Sequence, residues 1–457
     1  MRSLARIAYE RYTLLSCVIA SKISTIDQEY RMVSPAIQTI TLPNGLTLVT
    51  EERHTAPVVS FWTGYRVGSR DERPGITGIA HWIEHMLFKP TEAFPHTERD
   101  RLISREGGRA NAFTWFDGTV YYATLPANTA DVVYRIEADR MANSVFDREV
   151  TETERTVILA ERSQSENLPD WRLSEQVIGT LFPNHPYGHD TIGNRCDLET
   201  MTRDDLYSFY RTYYTPNNAV AVAVGSFDTA AVQDRIAQLF GDIPRGPEPP
   251  RLNVIEPPQT SERRIELEGP GGAAYVAVAY RGIDYADPDF IPAVVLITTL
   301  GGPLSLTLGS DETTRSSRLY RELVEGELAV YVNCSMEATI EPFVIDIAAM
   351  VWQDRTHDEV EFAIDRVIAS AVSHPVTADE LARAKKQLIA TLVYENERIS
   401  GRALMLTLAH LVFGTELLRT YADRIAAVTA DDVRRVAARL FDPRNRVVGR
   451  YVPNDES

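Results

Sequence analysis

The segments TRDDLYSFYRTYYTPNNAVAVAV, residues 202–224, and TADDVRRVAARLFDPRNRVVGRY, residues 429–451, align without a gap at a constant offset of 227 residues. Asp205 falls on Asp432, Pro216 on Pro443 and Asn218 on Asn445, while Leu206, Phe209 and Tyr214 fall on Val433, Val436 and Phe441. Each copy reads as an amphipathic helix, a Pro-Asn turn and a strand. A weaker match sets SFWTGYRVGS against VAVAYRGIDY, with Tyr65 on Tyr280, again a strand entering a helix. The chain therefore divides into two similarly folded halves of about 220 residues, each the size of an ordinary domain.

Working outward from the repeat gives an α+β fold. ITLPNGLTLVTEE reads as a hairpin about an Asn-Gly turn, and APVVSFWTGYRVGS as a longer strand. GGRANAFTWFDGTVYYATLP reads as two strands turning near Asp117-Gly118, and TADVVYRIEADRMANSVF as a helix. DREVTETERTVILAERSQSENLP is a further, polar helix. The stretch from Gly241 to Arg264 is dense in proline and charge and reads as an extended linker. The expected organisation is an N-terminal extension (1–36), a first half (37–240), a linker (241–264) and a second half (265–457).

Hydrophobic residues at 44% and charged residues at 24% mark a folded, globular chain, and no apolar run reaches the length of a membrane span. A net charge of -17 repels polyphosphate and argues against nucleic acid as a partner. Cys17, Cys196 and Cys334 are too few and too far apart for a disulfide framework or a Cys-x-x-Cys metal knuckle. The first residues carry Arg2, Arg6 and Arg11 ahead of Leu14-Leu15-Ser16-Cys17, which has the look of a lipobox. Glu10 and Arg11 sit where an export signal would be apolar, and Glu10 also weakens a mitochondrial presequence. An untargeted extension and a cytoplasmic location are expected, with periplasmic or organellar placement as the alternatives.

GITGIAHWIEHMLFKPT holds His81-Trp82-Ile83-Glu84-His85 on a segment opened by Pro74-Gly75 and stopped by Pro90. On a helix, His81 and His85 lie one turn apart on one face with Glu84 beside them. Two imidazoles at that spacing can hold a zinc ion, and the carboxylate can take a proton from water at the metal. The order His-x-x-Glu-His inverts the commoner zincin motif. Any further ligand must be His or carboxylate. Glu154 and Glu161 stand seven residues apart on one face of the polar helix, and that helix alone leaves open whether they are ligands or a solvated acidic face.

The motif and its surroundings resemble the pitrilysin family of zinc peptidases, which includes insulin-degrading enzyme and the mitochondrial processing peptidase. ERTVILAER is similar to the family segment that carries the third zinc ligand some seventy-odd residues after the motif, here Glu161. HPYGHDTIGN, YYTPNNAVAVAVGSFD and LGGPLSLTLGSDETTRSSRLYREL resemble further family segments in the right order. The resemblance implies two homologous α/β-sandwich halves forming half of a chamber for extended or unfolded peptides. It implies one zinc held by His81, His85 and Glu161, Glu84 as the catalytic base, and Glu154 supporting the site. It also implies that Asn111, Ala112 and Phe113 lie on an edge strand to which a peptide substrate adds as a further strand. Aligned through Tyr65 and Tyr280, the second half has Leu296, Thr299 and Leu300 in place of His81, Glu84 and His85, so only the first half can bind the metal.

One element departs from the pattern. Many active relatives carry an Arg and a Tyr seven residues apart in the second half; here Tyr331 is present but Val324 stands where the Arg would be. A valine cannot donate hydrogen bonds to an oxyanion. The resemblance then implies the zinc-bearing subunit of a bacterial two-subunit peptidase, whose homologous partner supplies the Arg and Tyr in a heterodimer, with a homodimer as the alternative. Presequence processing is one variant of this reading, and a non-catalytic assembly subunit with a vestigial zinc site is the competing one.

Overall fold

A computed structural model describes residues 37–95, 98–307 and 313–454. The extension 1–36, with its lipobox-like stretch, and residues 308–312 of the Gly-Gly to Ser-Arg-Leu segment lie outside the described residues.

The first half contains strands β1 (Gln38–Thr41), β2 (Thr47–Glu52), β3 (Val58–Tyr65), β4 (Arg109–Thr114), β5 (Thr119–Pro126) and β6 (Ala219–Gly225). They form one sheet in the order β1-β2-β6-β3-β5-β4, so β4 is an edge, as expected for the segment holding Asn111 to Phe113. Its principal helices are α1 (Ile79–Met86), α2 (Asp131–Asn143), α3 (Arg148–Glu166), α4 (Pro169–Leu181) and α5 (Arg203–Tyr213). Alternation along β3 decides which side each residue serves: Val59, Phe61 and Tyr65 join the core under α1 and α2, while Trp62 faces the opposite side.

The second half repeats the plan. Strands β7 (Arg263–Pro270), β8 (Tyr275–Arg281), β9 (Ala329–Met336), β10 (Val344–Val351) and β11 (Arg446–Asn454) form a sheet in the order β7-β11-β8-β10-β9. Its helices include α6 (Phe290–Leu300), α7 (His357–Ser373), α8 (Ala378–Glu397), α9 (Ile399–Leu408) and α10 (Ala430–Leu440). The internal repeat is visible in strand register. Tyr65 of β3 pairs with Ala219 of β6, and Tyr280 of β8 pairs with Arg446 of β11, the residue aligned with Ala219. Both repeat helices open on the same reciprocal cap. Thr202 and Asp205, like Thr429 and Asp432, exchange side-chain and backbone hydrogen bonds across the first turn.

Residues 244–260 adopt neither helix nor strand, and β7 begins at Arg263, one residue before the proline-rich stretch ends. This passage is tied down: Arg251 reaches Asp71 and Asn218, and the Glu256 carboxylate accepts from the backbone of Asn184 and His185.

The two halves exchange helices. From the first half, α4 packs Leu173, Val177 and Leu181 onto Ala277, Ala279 and Val447 of the second sheet. From the second half, α9 covers the face of the first sheet that carries Trp62, Val120 and Val222. Both crossings depend on a glycine in a strand. A Cβ on Gly449 would lie 2.4 Å from Val177 Cγ2 and 2.9 Å from Leu173 Cδ1, and one on Gly64 would lie 2.9 Å from Thr407 Cγ2 of α9. Gly449→Val should therefore force α4 off its sheet and cost about 1–3 kcal/mol, read as a lower urea midpoint. An unchanged midpoint would mean that α4 is not held by this contact.

The helical run Ile399–Ala427, 29 residues long, is the one helix among the described residues with the length and composition to cross a membrane. The sequence reading found no such run, and the fold explains the apolar content: Ala403, Met405, Leu406, Leu417 and Ile425 are core residues.

Candidate metal centre

The metal-motif helix is positioned from its first residue. Gly78 is left-handed, with φ of 86°, and so is Gly193, also at 86°. The two are packed back to back, since a Cβ on Gly78 would lie 2.9 Å from Gly193 Cα. No other residue type fits both conditions at once. The free backbone donors at the start of α1 and in the loop before it are met by two carboxylates, one just upstream and one distant in sequence. Glu72 accepts from Gly78 N at 2.7 Å and Ala80 N at 2.9 Å, and His189 Nε2 lies 2.8 Å from the same carboxylate. Asp197 accepts from Gly75 N, Thr77 N and the Thr77 hydroxyl. The HPYGHDTIGN stretch and its neighbours thus hold the loop that aims α1. Negative charge at this end is also favoured by the helix dipole.

The apolar face of α1 is buried through Ile79, Trp82, Ile83 and Met86, and the Arg155 guanidinium of α3 lies 4.8 Å over the Trp82 ring. This contact sets α3 beside α1 and brings the candidate ligands together. Ligand atoms of His81, His85 and Glu161 all lie within 4.8 Å of one another. His85 Nε2 is 3.6 Å and His81 Nε2 3.9 Å from Glu161 Oε2, and the two rings meet edge to face with centroids 4.7 Å apart.

The two glutamates of α3 meet different atoms. Glu154 Oε1 is 2.8 Å from His85 Nδ1, on the side of the ring away from Glu161, and its other oxygen is paired with Lys89. An Nδ1–H donated to Glu154 fixes the tautomer and leaves Nε2 with a lone pair facing Glu161. Burial would weaken the hold of His85 on a proton, but Glu154 and Glu161 outweigh it and raise its pKa. Burial and the adjacent His85 push the His81 imidazole down to about 3, so it is neutral at physiological pH. Nδ1 of His81 is buried without a partner among the described residues, leaving His85 the better anchored ring.

Glu84 is buried, and its Oε2 accepts from the Thr114 hydroxyl of β4 at 2.7 Å. Burial raises its carboxyl above the usual range, opposed by Thr114. The candidate base is therefore linked directly to the edge strand. On β4 the even residues Ala112 and Thr114 face α1, whereas Phe113 faces the Trp62 side and Asn111 shares its direction.

One imidazole nitrogen from each histidine and one carboxylate oxygen, converging from two rigid helices, are a donor set suited to a catalytic zinc ion. The residues present fit that ion. In the second half the equivalent helix α6 is apolar and buried along its whole length, and Leu296, Thr299 and Leu300 offer no ligand set. Tyr331 stands half-exposed on the edge strand β9 and lines a cavity of about 590 Å³ with Val324, which brings no donor to it. Glu72, Asp197, His189, Thr114 and Lys89 carry no signal in the sequence, because they have partners on other elements, up to 122 residues away.

Comparison with known proteins bears on the family of the chain. The family described as Insulinase (Peptidase family M16) matches residues 47–195, and the Peptidase M16 inactive domain matches residues 200–388. An uncharacterized zinc protease of Mycobacterium bovis is 30% identical over 412 residues, covering 88% of this chain and 90% of the relative. A probable mitochondrial-processing peptidase subunit beta of Arabidopsis thaliana is 28% identical over 92% of this chain and 79% of its own length. A solved protease from Helicobacter pylori, 25% identical, superposes with a TM-score of 0.86 over 92% of this chain and all of that one. With the two family segments in order along it and a relative of that identity aligned over most of its length, the chain belongs to the insulinase family of peptidases, family M16.

Proposed function

We propose that this chain is a zinc-dependent endopeptidase acting on extended or unfolded peptides. The observation that carries the reading is the convergence of His81, His85 and Glu161 with Glu84 on the same helix turn. His81, His85 and Glu161 would hold one zinc. When bound, the ion would polarise a scissile carbonyl and make water a stronger acid and nucleophile. Glu84, held by Thr114, is placed to accept a proton from the attacking water and to deliver it to the leaving amine. Glu154 keeps His85 in the required tautomer. The outer edge of β4 offers Asn111, Ala112 and Phe113 to a peptide backbone, and main-chain pairing binds with little regard to side chains.

A homologous partner is part of this reading. Among the described residues that line the cavity beside Tyr331, Val324 stands in place of a cationic donor, and one relative bears the name of a processing-peptidase beta subunit. The purified chain should bind about one zinc and cleave an unfolded peptide slowly, faster once a homologue bearing the Arg and Tyr is added. Full activity of the chain alone would remove the partner from the proposal. Absence of both zinc and chelator-sensitive cleavage in the presence of the partner would remove the peptidase reading and favour an assembly role.

A further inference from the structure

Across the face of the first sheet turned away from α1, Trp62 of β3, Tyr122 of β5 and Asn111 of β4 form one cross-strand row. The Trp62 and Tyr122 rings are stacked with centroids 4.2 Å apart and an interplanar angle of 9°. Above them, at the junction of α8 and α9, opens a cavity of about 670 Å³ walled by the two rings, Tyr394, Leu404, Glu395 and Glu397.

Glu395 is in an unusual state. It is largely removed from solvent, and its Oε1 accepts from the hydroxyls of Ser305 and Thr307. Among the described residues no Lys or Arg forms an ion pair with it; Arg398 lines the same cavity without reaching it. Desolvation raises its carboxyl above the usual range, with only the two hydroxyls opposing. A half-buried carboxylate without a cation is costly to keep, and aromatic walls beside it favour a flat cation over a neutral group. A peptide strand added to β4 would place one residue next in the row after Asn111, two strand spacings or about 10 Å from the Tyr122 backbone. Only a long side chain crosses that gap over the short Asn111.

We propose that this cavity is the subsite for an arginine side chain of the peptide, carried by the residue paired opposite Asn111. The guanidinium lies against Tyr122 and Tyr394 and forms its ion pair with Glu395, with Glu397 at the rim. Arginine suits the site better than lysine because its planar group both stacks and donates in a fork. The subsite rests on the strand-addition reading of β4, and it gives an otherwise side-chain-tolerant edge a preference at one position.

The test separates the two. In the zinc-loaded Glu84→Gln protein, which binds without turnover, the affinities of two unfolded peptides are compared, one with a single arginine and one with citrulline in its place. The arginine peptide should bind about tenfold more tightly, the scale of one charge-assisted contact with aromatic stacking. Glu395→Gln on that background should bring the two affinities together. Tyr394 is exposed, so Tyr394→Ala probes the same cavity without disturbing the core, and it should reduce the preference about threefold. Equal affinities in the parent, or a preference that survives both substitutions, would overturn the subsite. A preference that follows the substitutions, in a chain that cleaves neither peptide with zinc and its partner present, would uphold the subsite and defeat the peptidase reading.

Discussion

Glu84→Gln should leave the zinc content at one per chain and lower kcat on an unfolded peptide by about 10²–10⁴-fold, the usual share of a general base. The amide keeps the size of the carboxylate and can still accept the Thr114 hydrogen bond, so α1 and β4 stay joined. A neutral group at this buried position also avoids the cost of an enclosed charge, and thermal stability should not fall. What is lost is the lone proton acceptor placed on the same turn as both histidines. Metal analysis and initial rates on one preparation decide it. Turnover within a few-fold of the wild type would take Glu84 out of the mechanism, and loss of zinc together with activity would make it a ligand or a structural residue instead.

The duplication was legible because the repeat helix of each half begins with the same Thr-x-x-Asp cap and ends on the same Pro-Asn turn. Two copies of a local signal at one offset need no tertiary knowledge. The metal motif was legible for the same reason, since three residues on one helix, His81, Glu84 and His85, define its geometry. Glu154 and Glu161 were harder, because a spacing of seven puts both on one face of α3 and periodicity alone does not rank them. Tertiary packing, with Ile158 in the core and Arg155 over Trp82, orients α3 so that one glutamate meets Nδ1 of His85 and the other meets Nε2.

The exchange of α4 and α9 between the halves could not be read at all. An amphipathic pattern says that a face is buried but not against which sheet, and the signals are glycines inside strands, Gly64 and Gly449, whose meaning depends on the approaching helix. The carboxylates that cap α1 were hidden likewise. Glu72 and Asp197 resemble any surface acid in sequence, yet Glu72 serves backbone donors that α1 cannot satisfy itself and Asp197 those of the loop leading into it.

The second large effect concerns the two glutamates of α3, which should separate cleanly in a metal competition assay. Glu161→Gln replaces an anionic oxygen facing both Nε2 atoms with a weak neutral donor, leaving two imidazoles to hold the ion. Zinc should then be lost to a modest chelator, and activity with it. Glu154→Gln retains an oxygen able to accept from His85 Nδ1, so the tautomer is kept, and the cost should be about 10–100-fold in metal affinity. Glu154→Ala should be worse than the amide, because it leaves both His85 Nδ1–H and the Lys89 ammonium without their acceptor. The expected order of zinc affinity is wild type, Glu154→Gln, Glu154→Ala, Glu161→Gln. If the two Gln variants lose zinc equally, the division of labour read from the two nitrogens of His85 is wrong. If Glu154→Gln loses more than Glu161→Gln, Glu154 is the ligand. A cation rather than an anion at 154 would confirm the direction of the argument: Glu154→Lys places a second ammonium beside Lys89 and against the Nδ1–H it should accept, and zinc binding should fail although no ligand has been touched.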